Sequence, residues 1–215
     1  MTCDTLTIRQ LSPYCLIVTT EPSQGIRDRI IAATLVTLAR YGVAKTTLED
    51  VAKEAGCARA TVYRYFGGKQ QLLHAMVVHE SQRVLAAIDA AARPGLALDD
   101  ALVAMATTAA HELLEHDALQ FVLAHEPELI LPFVTFEGSD QFIAVTGAAL
   151  APTFARFLPE SEADRAAQWC IRIFLAYLGA DDSPVTMTDA REVRALIHDF
   201  VAPALRVPAF QPTGR

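Results

Sequence analysis

Lysine is scarce in this chain of 215 residues: Lys45, Lys53 and Lys69 are the only three. Cysteine is nearly as thin, and Cys3, Cys15, Cys57 and Cys170 include no C-x-x-C pair. That spacing excludes the usual pattern of a structural zinc site and makes reduced thiols the simplest account. Charged residues interrupt every long apolar segment, so no membrane-spanning helix and no membrane partner are expected. The first residues lack the basic stretch and apolar core of a secretory signal, and a cytoplasmic location is the expectation. Segments with the two-residue period of a strand are missing as well. So are G-x-S-x-G, P-loop and dinucleotide fingerprints, and any Glu-x-x-His pair. His111 and His116 flank Glu112 and Glu115, but at i and i+5 rather than the i and i+4 of H-E-x-x-H, so they point in different directions. These absences argue against an enzyme, a cofactor or a metal; a metal-responsive regulator is a weaker alternative.

The positive charge that is present lies in one place. Residues 24–69 hold eight Lys and Arg against four acids, a net of +4, and include every lysine. Residues 70–215 hold nine Arg against nineteen acids, a net of −10, and the whole chain stands at −7. A basic head on an acidic body concentrates phosphate attraction at one end.

Within that head, Thr46–Lys69 reads TTLEDVAKEAGCARATVYRYFGGK. Thr46 and Glu49 have capping-box spacing and predict a helix start. Leu48, Val51, Ala52 and Ala55 follow on one face. Gly56 stands where the chain must turn with positive φ. A second short helix is predicted over 58–65, with Val62 and Phe66 inward and Arg59, Ala60, Thr61, Tyr63, Arg64 and Tyr65 largely outward. Helix, tight turn and helix with a polar, aromatic outer face is the helix-turn-helix plan, whose second helix enters the DNA major groove. Thr46 and Thr47, at a helix start, are candidate phosphate contacts. Tyr63 and Tyr65 offer phenol hydrogen bonds to phosphates, and Lys69 offers a point charge. Arg59, Ala60, Thr61 and Arg64 are the candidates for reading base edges; each arginine is equally suited to a phosphate. Cys57, at the turn, reads as a small semi-buried filler rather than a redox switch.

The string YG-x-x-x-TTLEDVAKEAG-x-x-x-x-TVYRYF-x-x-K-x-x-L, from Tyr41 to Leu72, resembles the DNA-binding domain of the tetracycline-repressor (TetR) family of bacterial regulators. The resemblance covers 32 of the 215 residues and implies phosphate contacts at Tyr63, Tyr65 and Lys69. Two positions depart from the family pattern: Ala58 stands where a serine-like residue is usual, and Gly68 where a polar helix-starter is usual. Loss of a cap oxygen costs about 1 kcal/mol, so the fold is not threatened.

The rest of the chain also reads as helices, predicting an all-α protein. Helices are expected over about 26–41, 69–92, 99–116, 118–124, 141–158 (with Pro152 kinking it), 162–178 and 188–201, the last stopped by Pro203. The expected domains are an arm over 1–23, the helix-turn-helix over 24–69, a helical effector-binding and dimerisation body over 70–205, and a tail over 206–215. Nine of ten phenylalanines lie beyond position 120. Phe121, Phe133, Phe136, Phe142, Phe154, Phe157, Trp169, Phe174 and Tyr177 are the candidate lining of an effector pocket. Each singly is better explained as core; the resemblance implies a ligand pocket in the body. Ala166, Cys170, Ile173, Val193, Leu196, Ile197 and Phe200 form broad apolar faces on the last two helices and are the candidate dimer interface, where the family packs a four-helix bundle. The expected function is a regulator, repressing in the family's usual mode, that binds a palindromic operator in double-stranded DNA as a homodimer. A small lipophilic effector would release it. The alternative is a DNA-binding protein that takes no effector.

Overall fold

The computed structural model describes residues 24–131, 136–179 and 183–206, and among them every regular element is helical. Two compact units result. The first contains the described residues up to Gln82 together with Asp117–Leu129; the second contains Arg83–His116 and the described residues from Ile130 onward.

The first unit begins with α1, Gln24–Lys45. Its helical path breaks at Gly42 (φ 77°, ψ 174°), a conformation that side chains with a Cβ avoid. Then come α2, Leu48–Glu54, and α3, Arg59–Phe66. The start of α4, Lys69–Ala91, and the whole of α6, Asp117–His125, complete the unit. Its core is made of large side chains, with Ile30, Leu38, Val51, Val62 and Leu72 almost wholly excluded from solvent and Phe66 packed beside them. Ala118 of α6 is buried in the same cluster, so a segment expected in the body packs on α1 instead.

Two expectations about α2 are corrected here. The capping box is Thr47 with Asp50, not Thr46 with Glu49: Thr47 Oγ1 accepts from Asp50 N–H at 3.2 Å, and Asp50 Oδ2 accepts from Thr47 N–H at 3.1 Å. Thr46 is 2% exposed, and both its N–H and its hydroxyl donate to Gly42 O. A buried hydroxyl already bonded to a carbonyl has nothing left for a phosphate.

The second unit is built from the C-terminal part of α4, α5 (Leu98–Leu114), α7 (Phe136–Phe154), α8 (Glu160–Leu178) and the closing segment. Alanine supplies much of its core: Ala92, Ala101, Ala110, Ala163, Ala166 and Ala167 are all buried. Gly147 allows α7 and α8 to touch, since a Cβ there would fall 2.4 Å from Gln168 Cγ. Pro152 lies inside α7. Asp189 caps the closing segment, which runs as α9, Ala190–Leu196, then a π turn, Ile197–Val201, then α10, Ala202–Arg206. Pro203 therefore does not stop the helix. It sits in the first turn of α10, where a missing N–H is tolerated.

Candidate nucleic-acid interface

The α2–turn–α3 unit is fastened from α1 by arginines. Gly56 makes the turn at φ 63°, as its position in the sequence predicts. Arg29 Nη2 donates to Ala55 O at 2.7 Å, satisfying a terminal carbonyl of α2 beside that turn. Arg27 lies 4.8 Å over the Phe66 ring and donates to Tyr65 O at 3.3 Å, holding the C-terminal end of α3. Arg40 pairs with Glu54 at 3.0 Å. None of these three was singled out in the sequence, where they entered only as charge; their roles depend on partners 14 to 38 positions away.

The helix they hold presents the expected face. Val62 and Phe66 point into the core, while Arg59, Ala60, Tyr63 and Arg64 are exposed, Tyr63 to 61%. Thr61 is half-buried. Tyr65 is also half-buried and packs on the head core, with the Arg64 guanidinium 5.4 Å from its ring. Ala58 caps α3 without a side-chain hydrogen bond, and Gly67 ends it in the left-handed conformation at φ 79°. Cys57 is half-buried against the core, as a filler would be.

Lys69 is engaged within its own chain. Its ammonium donates to Val43 O at 2.6 Å and to Ala44 O at 3.3 Å. Thr47 remains exposed at the start of α2. Its hydroxyl and N–H bonds to Asp50 hold that carboxyl below its ordinary value.

The candidate pocket aromatics do not converge. Phe121 belongs to the first unit, stacked on His125 at 4.2 Å. Phe133 and the Phe136 side chain lie outside the described residues. Phe154 is buried core, Phe157, Phe174 and Tyr177 pack at its edge, Phe142 is half-buried, and Trp169 is partly exposed. One apolar recess of about 50 Å³ opens among α5, α8 and the closing segment. Of the described candidates only Phe174 lines it, beside Leu102, Ala106 and Met187. Cys170 also faces it, and burial pushes that thiol up to about 12.

The candidate dimer residues divide in the same way. Ala166, Val193, Leu196 and Ile197 are buried within their own chain, so they are not available to a partner. Cys170 and Ile173 line the recess instead. Phe200, 71% exposed, is the large apolar side chain of that set left facing outward, and Trp169 of α8 is exposed as well. His111 approaches Glu115 at 3.5 Å on an exposed helix face, and among the described residues no cluster suited to a metal ion occurs. No described helix is long and apolar enough to cross a membrane.

Two short helices about a positive-φ glycine, with an exposed aromatic and basic second helix, define a helix-turn-helix DNA-binding protein. Residues 30–76 match the family model for bacterial regulatory proteins of the tetR family. An uncharacterized HTH-type transcriptional regulator of Mycobacterium tuberculosis is 27% identical over 184 residues, spanning 82% of this chain and 83% of its own length. The fold is shared with the TetR family repressor AlkX from a Dietzia strain (TM-score 0.60, 23% identity, 84% of this chain and 95% of that one). It is shared too with the regulator FadR from Bacillus subtilis, solved with stearoyl-CoA (TM-score 0.56, 16% identity, 79% of this chain and 96% of that one). The chain belongs to the tetR family and is a DNA-binding transcriptional regulator.

Proposed function

We propose that the protein is a repressor that binds a palindromic operator as a homodimer and leaves it when a small lipophilic molecule occupies the body. The observation that carries this reading is the surface of α3, where Arg59, Ala60, Tyr63 and Arg64 stand exposed on a helix whose C-terminal end is held by Arg27, while Arg29 holds the end of α2 beside the turn. In this reading Arg59 and Arg64 contact base edges or the phosphates flanking them, and Tyr63 a phosphate, from a helix laid in the major groove. Dimerisation is supported by the exposed Phe200 on the closing helix and Trp169 on α8, apolar surface that a two-fold partner would cover. In this reading the first unit carries the DNA-reading head and the second the effector and dimerisation body; the expected arm over 1–23 lies outside the described residues.

An apolar effector is supported by the chemistry of the recess, whose walls are hydrocarbon and a thiol kept neutral by burial. At about 50 Å³ it falls well short of the roughly 300–1,000 Å³ typical of ligand sites, so an acyl or alkyl chain would have to enlarge it or use other space. The analogy with proteins implicated in n-alkane biodegradation or solved with stearoyl-CoA points toward such chains. The test is capture of genomic fragments by the full chain, followed by release of the enriched duplex with a panel of fatty acids, acyl-CoAs and alkanes. Enrichment with release by at least one compound supports the reading. Enrichment without release by any compound favours an effector-independent DNA binder.

A further inference from the structure

The connection between α1 and α2 is gripped from two directions. Val43 N–H and Ala44 N–H donate to the two carboxylate oxygens of Glu126, at 2.6 and 2.9 Å. The carbonyls of the same two residues accept from Lys69 Nζ at 2.6 and 3.3 Å. One dipeptide thus has both N–H groups on an anion and both C=O groups on a cation, from side chains 83 and 26 positions away from Val43. Gly42 gives the clamp its room. Its φ is 77°, and a Cβ there would lie 3.0 Å from the Glu126 carboxylate. Thr46 closes the other side of the turn by bonding back to Gly42 O at 2.7 Å. The next residue, Thr47, is the cap of α2, so the start of the DNA-reading unit is set by this turn.

We infer that Glu126 and Lys69 are positioning residues for DNA reading. Together they fix the Val43–Ala44 turn and hence the setting of α2 and α3, and Lys69 acts through that turn rather than by binding a phosphate. The inference rests on the head being the DNA-reading surface. Hydrogen bonds to charged groups are stronger than neutral ones, and four of them on one dipeptide over-determine its path. The two handles are also well placed in the chain. Lys69 is the first residue of α4, which runs on past Gln82 into the second unit, and Glu126 lies three residues before the end of the first unit's C-terminal segment.

The test uses the full chain, Glu126→Gln and Lys69→Met, with a duplex selected by the wild type from a random library and an unrelated duplex of equal length. Amide hydrogen exchange is read first, on the wild type alone. Val43 and Ala44 should be protected like the interior amides of α1, and exchange at the rate of an open loop overturns the clamp. Each variant should then weaken binding to the selected duplex by on the order of tenfold while leaving the unrelated duplex nearly unaffected. Lys69→Met removes a charge that adds to the head's potential but no phosphate contact, so the slope of log K against log salt should fall by well under about 0.9 per subunit. A slope reduced by about 0.9 per subunit, with equal losses on both duplexes, identifies Lys69 as a phosphate contact and overturns the proposal. Should the wild type select no sequence, the proposed function fails, and the exchange measurement still decides the clamp.

Discussion

In the first unit cations end on backbone carbonyls, whereas in the second they end on carboxylates. Arg27, Arg29 and Lys69 tie Tyr65 O, Ala55 O, and Val43 O with Ala44 O. Arg83, Arg156, Arg172 and Arg194 instead pair with Glu112, Asp89, Asp140 and Asp100. The patterns cross at Arg40 on Glu54 in the first unit, and at Arg156 reaching Ala92 O and Arg172 reaching Gln168 O in the second. The difference has an electrostatic meaning. A carboxylate partner cancels the charge it holds, while a carbonyl partner leaves it whole, so the arginines that shape the head still add to its positive potential. The +4 of residues 24–69 is therefore both scaffold and attraction.

The largest effect that would break this comparison is Phe66→Ala. It removes a core ring and the seat of Arg27 together, and should cost the first unit about 3–5 kcal/mol in denaturant unfolding while the second unit's transition stays in place. Leu102→Ala, in the body core beside the recess, should cost about 2–5 kcal/mol and enlarge the recess. Tighter binding of small apolar probes by the folded variant, read by Trp169 fluorescence, would sharpen the contrast; unchanged binding would argue against the recess as the effector's entry point. Thr47→Ala should cost about 1 kcal/mol through its lost cap. It also carries a pH signature. Asp50 titrates below its ordinary value in the folded chain, so its contribution is present above the unfolded carboxyl value and is lost as pH falls through the folded one. Wild type should lose that increment in acid, below about pH 4, and Thr47→Ala should show a smaller loss there. Smallest of all, Arg194→Met should change stability by only about 0.2–1 kcal/mol, because its pair with Asp100 is at the surface. A loss matching that of a carbonyl-tied arginine would remove the distinction between the units.

Much of the head was legible because its signals are local. Val51, Ala52, Val62 and Phe66 fall inward by helical spacing alone, and Gly56 takes the positive φ its position demands. The cap was misread by one residue because Thr46 and Thr47 each have an acid three positions on. Only the burial of Thr46 against Gly42 O, a matter of three-dimensional packing, decides between them. Arg29 and Glu126 could be seen only as charges, since their partners are 26 and 83 positions distant. In the body, periodicity found the apolar faces of α8 and α9 correctly but cannot say which surface covers them. Val193, Leu196 and Ile197 are covered by their own chain, and Phe200 is left outside by a π turn that the sequence pattern does not signal.

The most direct test of the account is selection of duplexes from a random library by the full chain and by an Arg59→Ala, Tyr63→Ala variant at moderate salt. The wild type should enrich a two-fold symmetric motif, and the variant should lose that motif while keeping weak, strongly salt-dependent binding to any DNA. Enrichment of the same motif by both proteins would contradict the assignment of α3 as the reading helix.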